Sequence, residues 1–177
     1  MGVLEHVGYS KALRYLWYGW FTWLFDISLP PVRTWLLRAA GARVGKNTVL
    51  FSVRWANLYH HGFSRVTIGD NCFIGDDVTI DTRGGVTLED HVTLSNGCRL
   101  VSHINVGFPD HPLQKRYPTK DASVQIRYGA YIGTGAIILS GVSIGRESIV
   151  AAGSVVTKNV PDGTLVAGVP AAVKKRI

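Results

Sequence analysis

An aliphatic residue returns at every sixth position along most of the chain. A helix repeats every 3.6 residues and a strand every two, so neither element alone produces a period of six. The series slips once by two residues, after Gly84 and Gly85, and a longer interruption separates Leu100 from Ile126. Its members are Val44, Leu50, Ile68, Ile74, Ile80, Leu88, Leu94, Leu100, Ile126, Ile132, Ile138, Ile144, Val150 and Val156.

A second series, of mostly small residues, lies four positions after the aliphatic one. Both series fit a triangular coil, in which each six-residue unit supplies one short strand and one turn and three units complete a coil of about eighteen residues. Gly, Asn or Asp accepts the left-handed backbone conformation of the turns. The pattern predicts an all-β fold, a parallel β-helix of hexapeptide repeats over residues 44–160. The small positions are Cys72, Val78, Val92, Cys98, Ala130, Ala136, Val142, Ser148 and Ser154.

The first 43 residues follow a different, helical pattern and are rich in tryptophan. Apolar residues between positions 13 and 25 recur at helical spacing, Pro30 and Pro31 end that helix, and a second short helix over residues 32–40 ends at Gly41. The apolar run is too short to span a bilayer. Two roles stay open and are compatible: a cap over the open end of the coils, or a helix lying in a membrane interface.

The repeat ends in the stretch KNVPDG, whose proline and glycine indicate a turn. After it, the stretch TLVAGVP is predicted to be extended, and AAVKKRI is predicted to form a short C-terminal helix that begins after Pro170. The chain is therefore divided into the segments 1–43, 44–160 and 161–177.

The composition is that of a globular protein, with 46% hydrophobic and 18% charged residues and a formal net charge of +7. A positive balance suits a polyanionic ligand or an anionic membrane surface. The lysines and arginines are dispersed and no nucleic-acid motif is present, so nucleic acid is not predicted as a partner. Cys72 and Cys98 lack a metal-ligand spacing and fall at small inward positions, which predicts two buried free thiols.

The interruption at residues 101–125 is the region most suited to carry chemistry, because a tight coil accommodates an insertion only where the insertion is useful or harmless. It contains two histidines, His103 and His111, together with Phe108, Asp110 and Tyr117. A lone histidine in a loop is usually a solvated surface residue. The choice of a functional histidine therefore depends on its context.

That context comes from a family resemblance. Residues 44–177 resemble the left-handed β-helix acyltransferases, specifically the branch of maltose, galactoside and xenobiotic acetyltransferases and of WcaF- and WbbJ-type polysaccharide acetyltransferases. The most specific part is GVSIGRESIVAAGSVVTKNVPDGTLVAGVPAAVKKRI, which is close to a family consensus. The resemblance implies a left-handed coil, a homotrimer with active sites between neighbouring subunits, and acetyl-CoA as co-substrate.

The same resemblance points to His103, in LVSH, as the catalytic base at the end of the coil before the loop. His111, in DHPL, is similar to a His-Pro-Leu of some sugar acetyltransferases and is the second candidate, as an acceptor contact or as the alternative base. A hydroxyl needs a base, since its pKa is too high for it to attack a thioester unaided at neutral pH. No Gly-x-Ser-x-Gly nucleophile motif is present, which favours direct transfer.

Family correspondence also implies the contacts of acetyl-CoA. It assigns the backbone N–H of Thr134 to the tetrahedral oxyanion, which needs a donor already in place. Along the pantetheine arm it implies contacts with Thr134, Ala152, Thr157 and Lys158. Lys158 and Lys175 are expected to meet the phosphates, and no metal is expected.

The acceptor contacts depart from those of the small-sugar enzymes, whose Asn and Asp correspond to Gly75 and Arg83 here. We expect Arg83, Tyr59 and His111 to contact the acceptor, since aromatic faces stack on sugars and arginine binds acidic or phosphorylated groups. The predicted function is an acetyl-CoA-dependent O-acetyltransferase that modifies a sugar hydroxyl of a surface polysaccharide or of its lipid-linked precursor.

Two other functions stay open: acetylation of a small soluble acceptor, such as a nucleotide-linked amino sugar or an antibiotic, and a non-catalytic scaffold. In the first case the N-terminal helices only cap the coil. A β-helix carbonic anhydrase is not favoured, because His91, His103 and His111 do not reproduce the spacing of its three zinc ligands. The expected location is cytoplasmic, with or without peripheral association at the inner face of the plasma membrane.

Overall fold

Five coils of parallel β-strands form the body of the molecule. A computed structural model of the chain describes residues 9–177, apart from the side chains at positions 10 and 11. The first eight residues of the predicted N-terminal segment lie outside the described residues. Each coil contributes one strand to each of three faces, which we name A, B and C in chain order. The predicted β-helix of hexapeptide repeats is confirmed.

Within each face, strands of successive coils pair in parallel and in register. Face A contains β1 (Arg43–Val44), β4 (Val66–Ile68), β7 (Val86–Leu88), β12 (Val124–Ile126) and β15 (Ser143–Ile144). Face B contains β2 (Val49–Leu50), β5 (Phe73–Ile74), β8 (Thr93–Leu94), β13 (Tyr131–Ile132), β16 (Ile149–Val150), β18 (Thr164–Gly168) and β19 (Ala171–Arg176). Face C contains β3 (Val53–Ala56), β6 (Val78–Asp81), β9 (Arg99–Leu100), β14 (Ile137–Ile138) and β17 (Val155–Val156). An antiparallel pair, β10 (His103–Ile104) and β11 (Lys120–Asp121), branches from the third coil. The turns form three corners, which we name AB, BC and CA after the faces that they join.

The inward aliphatic series forms the core. Its members stack by strand register, as Leu100, Ile138 and Val156 do on face C. From Leu50 onward, every member of the series is at most 2% exposed. Complete burial of a side chain of this size stabilises the fold by about 1.5–3 kcal/mol. The predicted small series is also buried, with no member more than 3% exposed.

Corner BC shows why the repeat places glycine after the strand. Gly97, Gly135 and Gly153 occupy equivalent positions in three successive coils, with φ of 69°, 68° and 66°. This is the left-handed region, which residues with a Cβ rarely adopt. A Cβ built on Gly135 or Gly153 would meet nothing within 4 Å. The requirement for glycine is therefore conformational and not steric.

Two helices cover the first coil. Helix α1 (Tyr9–Ile27) packs on β3, and helix α2 (Pro30–Ala39) packs on β1 and β2. Phe25 of α1 and Leu37 of α2 are fully buried and belong to the same core as Trp55. The helices therefore cap this end of the coils. Among the described residues, no helix combines the length and apolarity needed to cross a membrane.

The two prolines begin α2 and do not precede it. Proline fits the first turn of a helix, where the missing N–H has no partner to lose, so Pro30 and Pro31 are the first two helical residues. A further single helical turn, α3 (Leu58–His61), extends from corner CA of the first coil. It was not predicted, because four residues are too few to show a helical period.

The C-terminal residues form a strand, so the predicted short helix is wrong. β19 pairs antiparallel with β18, the preceding strand of face B. Without β19, one side of β18 would expose unpaired backbone N–H and C=O groups. This need for an edge partner outweighs the modest helix propensity of the segment. Gly168, with φ of 106°, begins the turn between the two strands.

Candidate active site

His103 lies at the base of the insertion, where the chain leaves the third coil. After β9 ends at Leu100, the chain turns outward at corner CA, and His103 begins β10 opposite Asp121 of β11. The histidine is thus held by the coil on one side and by the antiparallel pair on the other. Its side chain is 22% exposed.

A buried carboxylate, Asp81, is the direct partner of His103. Asp81 ends β6 in the preceding coil, and its Oδ2 lies 2.5 Å from Nδ1 of His103. The same oxygen accepts a hydrogen bond from the backbone N–H of Ser102 at 2.9 Å. The other oxygen, Oδ1, accepts from Nδ2 of Asn57 at 2.8 Å and from the backbone N–H of Arg83 at 3.2 Å. These four donors, with only 6% of the side chain exposed, fix the carboxylate in one orientation.

The donors also keep Asp81 ionised. Burial alone raises the pKa of this carboxyl, but the hydrogen bonds from His103, Asn57, Ser102 and Arg83 outweigh burial, and the pKa lies below its ordinary value. An ionised carboxylate only accepts hydrogen bonds. Nδ1 of His103 therefore carries a proton, and in the neutral imidazole Nε2 has the free lone pair. In this tautomer the imidazole can take a proton from a substrate hydroxyl.

Asp81 was not predicted from the sequence, although the repeat contains a signal for it. Ile80 and Leu100 are inward residues that stack on each other in adjacent coils. The residues that follow them, Asp81 and Val101, are therefore aligned, and His103 comes two positions later. The next coil has Val101 at the position of Asp81, so an aspartate there is unusual for the repeat. It indicated a polar partner just after β9, where His103 lies.

Two of the predicted acceptor contacts also lie at corner CA. Nε of Arg83 is 2.9 Å from Oδ1 of Asp121, and the side chains of this ion pair are 13% and 33% exposed. Tyr59 belongs to α3, two residues after Asn57, and its ring lies 6.5 Å from that of Tyr15 on α1. Arg83, Tyr59 and His103 are thus brought to one corner, in three successive coils.

A second arginine lies beside Arg83 at this corner. Arg65 donates a hydrogen bond to the carbonyl of Arg83 at 3.2 Å. Burial, and next the charge of Arg65, lower the pKa of His61 on α3. Arginine side chains near an aromatic ring and a histidine suit a ligand with an acidic or phosphorylated group.

His111 is not brought to Asp81. Its Nδ1 accepts a hydrogen bond from the backbone N–H of Leu113 at 3.1 Å, and its backbone N–H donates to the carbonyl of Phe108 at 3.0 Å. Both partners belong to the insertion, and the side chain is exposed. Within the described chain, no hydrogen bond joins His111 to the coils.

Thr134 and Ala152 are brought together at corner BC. They occupy equivalent positions in the fourth and fifth coils, where the carbonyl of Thr134 accepts a hydrogen bond from the N–H of Gly153 at 2.8 Å. The N–H groups of Gly133 and Gly135 bond to neighbouring coils, whereas the N–H groups of Thr134 and Ala152 have no backbone partner within the described chain. Each can donate to a ligand that carries carbonyl groups, such as a pantetheine arm.

The other predicted contacts of the co-substrate lie at different corners. Thr157 and Lys158 follow β17 at corner CA of the fifth coil, two coils beyond His103. Lys175 pairs with Leu165 near the start of β18, at corner AB. All three side chains are exposed. A single chain therefore distributes the predicted contacts over all three corners and does not gather them into one site.

The cysteines supply no nucleophile. Cys72 and Cys98 are buried free thiols. Burial raises the pKa of Cys98 to about 11 and also raises the pKa of Cys72, so neither is a thiolate at neutral pH. Across residues 9–177, no group of three or more His, Cys, Asp or Glu side chains is arranged to hold a metal ion.

A family model agrees with the repeat. The model described as the hexapeptide repeat of succinyl-transferase matches residues 65–101 and 128–158. The two matched ranges lie on either side of the insertion that carries His103 and its antiparallel pair.

Two similar proteins are acetyltransferases. The putative colanic acid biosynthesis acetyltransferase WcaF of Escherichia coli (strain K12) is 32% identical over 142 residues, which are 80% of this chain and 72% of that protein. Galactoside O-acetyltransferase of Lactococcus lactis subsp. lactis (strain IL1403) is 28% identical over 152 residues, which are 86% of this chain and 71% of that protein.

Solved structures share the fold over nearly the whole chain. A galactoside acetyltransferase in complex with coenzyme A has a TM-score of 0.79 at 27% identity, and the match covers 99% of this chain and 91% of that one. A hexapeptide-repeat acetyltransferase from Vibrio cholerae O1 biovar eltor, complexed with acetyl coenzyme A, has a TM-score of 0.79 at 26% identity, covering 99% and 98%.

Proposed function

The chain belongs to the hexapeptide-repeat acetyltransferases and uses acetyl-CoA as its acetyl donor, and on that premise we propose that it acetylates a sugar hydroxyl with His103 as general base. The observation that carries the proposal is the 2.5 Å hydrogen bond between Nδ1 of His103 and the buried carboxylate of Asp81, which leaves Nε2 as the proton acceptor. A sugar acceptor is supported by the similar galactoside O-acetyltransferase and by the similar putative colanic acid biosynthesis enzyme.

Proton transfer accompanies the attack of the acceptor. Nε2 of His103 takes the hydroxyl proton while the hydroxyl oxygen forms a bond to the acetyl carbonyl carbon. Nδ1–H stays bonded to Asp81, whose negative charge stabilises the imidazolium that forms. As the oxyanion collapses, the carbon–sulfur bond breaks and the imidazolium returns the proton to the CoA thiolate. The products are the sugar ester and the free thiol, and His103 is again neutral.

The oxyanion needs a donor, and the proposed one is the N–H of Thr134. In one chain, Thr134 lies at corner BC and His103 at corner CA. The length of face C separates the two corners, a distance on the order of 15 Å along an extended strand and its turn. One chain cannot present both groups to one acetyl carbonyl. A homotrimer with sites between neighbouring subunits is therefore part of this proposal.

The remaining contacts of acetyl-CoA extend the same argument. We assign the backbone N–H of Ala152, which has no backbone partner among residues 9–177, to an amide carbonyl of the pantetheine arm. The exposed side chain of Thr134 is the second proposed contact of the arm, since its backbone N–H is assigned to the oxyanion. Thr157, Lys158 and Lys175 are exposed, and the two lysines supply cations for the phosphates. Their distribution over different corners requires that two subunits line one site.

The proposed acceptor is a sugar of a surface polysaccharide or of its lipid-linked precursor. Arg83, Tyr59 and His111 are its proposed contacts, with Arg83 facing an acidic or phosphorylated group. A lipid-linked precursor is met at a membrane, so peripheral association through the N-terminal helices at the cytoplasmic side of the plasma membrane is also part of the proposal.

The test is thiol release from acetyl-CoA over a panel of acceptors. The panel contains galactosides, maltose, nucleotide-linked amino sugars, an aminoglycoside or other antibiotic hydroxyl, and lipid-linked glycans, with mass spectrometry of the product to locate the ester. The highest kcat/KM on a glycan or lipid-linked glycan, with an O-acetyl product, supports the proposal. Preference for a nucleotide-linked amino sugar or an antibiotic contradicts it and supports the small-acceptor function.

A further inference from the structure

An apolar surface on α1 is used neither by the fold nor by the active site. We call it the tryptophan face, and its members are Leu13, Leu16, Trp17, Trp20, Trp23 and Ile27. Their side chains are 57–73% exposed. Large apolar side chains that are clustered and exposed to this extent usually mark a surface that binds a partner or a membrane.

The tryptophan face is distinct from the side of α1 that packs on the coil. At 3.6 residues per turn, its six members fall within an arc of about 120°. The packed side lies on a separate arc, where Phe25 is fully buried and the rings of Tyr18 and Phe21 lie 5.9 and 5.1 Å from that of Phe63. The helix therefore has two apolar sides, and the coil covers one of them.

The uncovered side is a shallow groove and not a flat strip. Trp17, Trp20, Trp23 and Leu24, with the edge of Phe21, line a cavity of about 460 Å³. The rings of Trp20 and Trp23 meet edge to face with centroids 5.8 Å apart. Tryptophan, like tyrosine, is enriched at the headgroup level of bilayers, because its ring is apolar and its N–H donates a hydrogen bond.

Charge decides which partner fits this end of the molecule. Residues 9–56, which contain α1, α2 and the first coil, hold seven basic residues and one acidic residue, a net charge of +6. Residues 57–177 hold twelve basic and ten acidic residues. Two copies of this chain that met through their tryptophan faces would bring two such basic ends together and repel. An anionic bilayer attracts the same charge.

We infer that the tryptophan face inserts into the headgroup region of an anionic bilayer, with α1 parallel to the membrane plane and the net positive charge of this end of the molecule attracted by the lipid phosphates. Because its other side is fixed in the core through Phe25, the helix docks with the coil attached. The inference deepens the proposed function, on which it rests for the acceptor, by naming the surface on which a lipid-linked sugar is presented.

The test is binding of the full chain to vesicles without acetyl-CoA or acceptor. We expect the protein to float with vesicles of equimolar phosphatidylglycerol and phosphatidylcholine, with a blue shift of tryptophan emission. Partitioning should fall by about tenfold or more for pure phosphatidylcholine and also at high salt, because the attraction is electrostatic. The variant Trp17→Ser/Trp20→Ser should lose about tenfold or more of the partitioning to anionic vesicles.

The matched control is Tyr128→Ser, which removes a 41% exposed aromatic ring from the fourth coil and should leave vesicle binding unchanged. The thermal unfolding midpoint of each variant, which should be unchanged, is a control for folding that does not depend on an activity assay. The inference is overturned if the wild type does not bind anionic vesicles or if the double variant binds them equally. It is also overturned if the double variant changes the oligomer size in light scattering, since a second copy would then cover the face. If vesicles bind but no sugar is acetylated, the docking surface stands and the proposed acceptor fails.

Discussion

The two histidines of the insertion share a residue type and differ in their surroundings. His103 lies at the base, where a buried carboxylate with three further hydrogen-bond donors orients its ring. His111 lies in the exposed part of the loop, and its hydrogen bonds within the described chain are to loop residues. Since a general base needs a defined tautomer and position, the coil determines which histidine is suited to catalysis, and membership of the insertion does not.

Replacing each histidine by alanine should give the largest difference in kcat between the two positions. We expect His103→Ala to lower kcat by about 10²–10⁴, because the proton acceptor is lost. His111→Ala is the matched control, and it should change kcat less than about threefold while raising the KM of the acceptor. Thiol release under saturating acetyl-CoA measures both. A larger loss of kcat for His111→Ala than for His103→Ala would reverse the assignment.

The comparison also predicts that Asp81 affects kcat by fixing the tautomer and orientation of His103. We expect Asp81→Asn to lower kcat by about tenfold to a hundredfold, because an amide can donate to Nδ1 and so favours the wrong tautomer. The KM of acetyl-CoA should stay unchanged. Asp121→Asn is the matched control, since that carboxylate lies on the same antiparallel pair but contacts Arg83. Asp121→Asn should mainly change the KM of the acceptor. Equal losses of kcat in both variants would contradict a specific role of Asp81 in orienting His103.

The lowered pKa of Asp81 predicts a dependence of stability on pH. A carboxyl whose pKa is lower in the folded than in the unfolded state contributes stability above its unfolded pKa of about 3.9, and the contribution is lost as pH falls through the folded pKa. Asp81→Asn should reduce the free energy of unfolding at pH 7 by about 1–3 kcal/mol. The difference between wild type and variant should shrink as pH falls below about 4. Urea denaturation at a series of pH values measures this, and a difference that grows on acidification would contradict it.

How far the sequence predicts the structure depends on whether the determining contacts follow the repeat. Ile138 and Cys98 obey the six-residue rule, so their burial was predictable from their positions alone. The pairing of His103 with Asp81 joins a residue outside the repeat to a residue in the preceding coil, and it becomes visible only once the coils are aligned. The C-terminal strand β19 was missed because its conformation is set by the unpaired edge of β18, a tertiary effect that outweighs local propensity.

The smallest expected effect tests how the carboxylate itself is held. Asn57 donates to Oδ1 of Asp81 and has φ of 62°, a left-handed conformation that alanine would strain, so glycine is the substitution that removes the side chain and keeps the backbone. We expect Asn57→Gly to lower kcat by about three- to tenfold, since one of four donors to Asp81 is lost. Asn47→Gly is the matched control, because Asn47 has φ of 55° and donates to Asn71 at 3.3 Å, away from His103. Equal kcat losses in the two variants would mean that backbone entropy, and not the hydrogen bond to Asp81, accounts for the effect. A loss confined to Asn57→Gly would show that the orientation of His103 is set from two coils away.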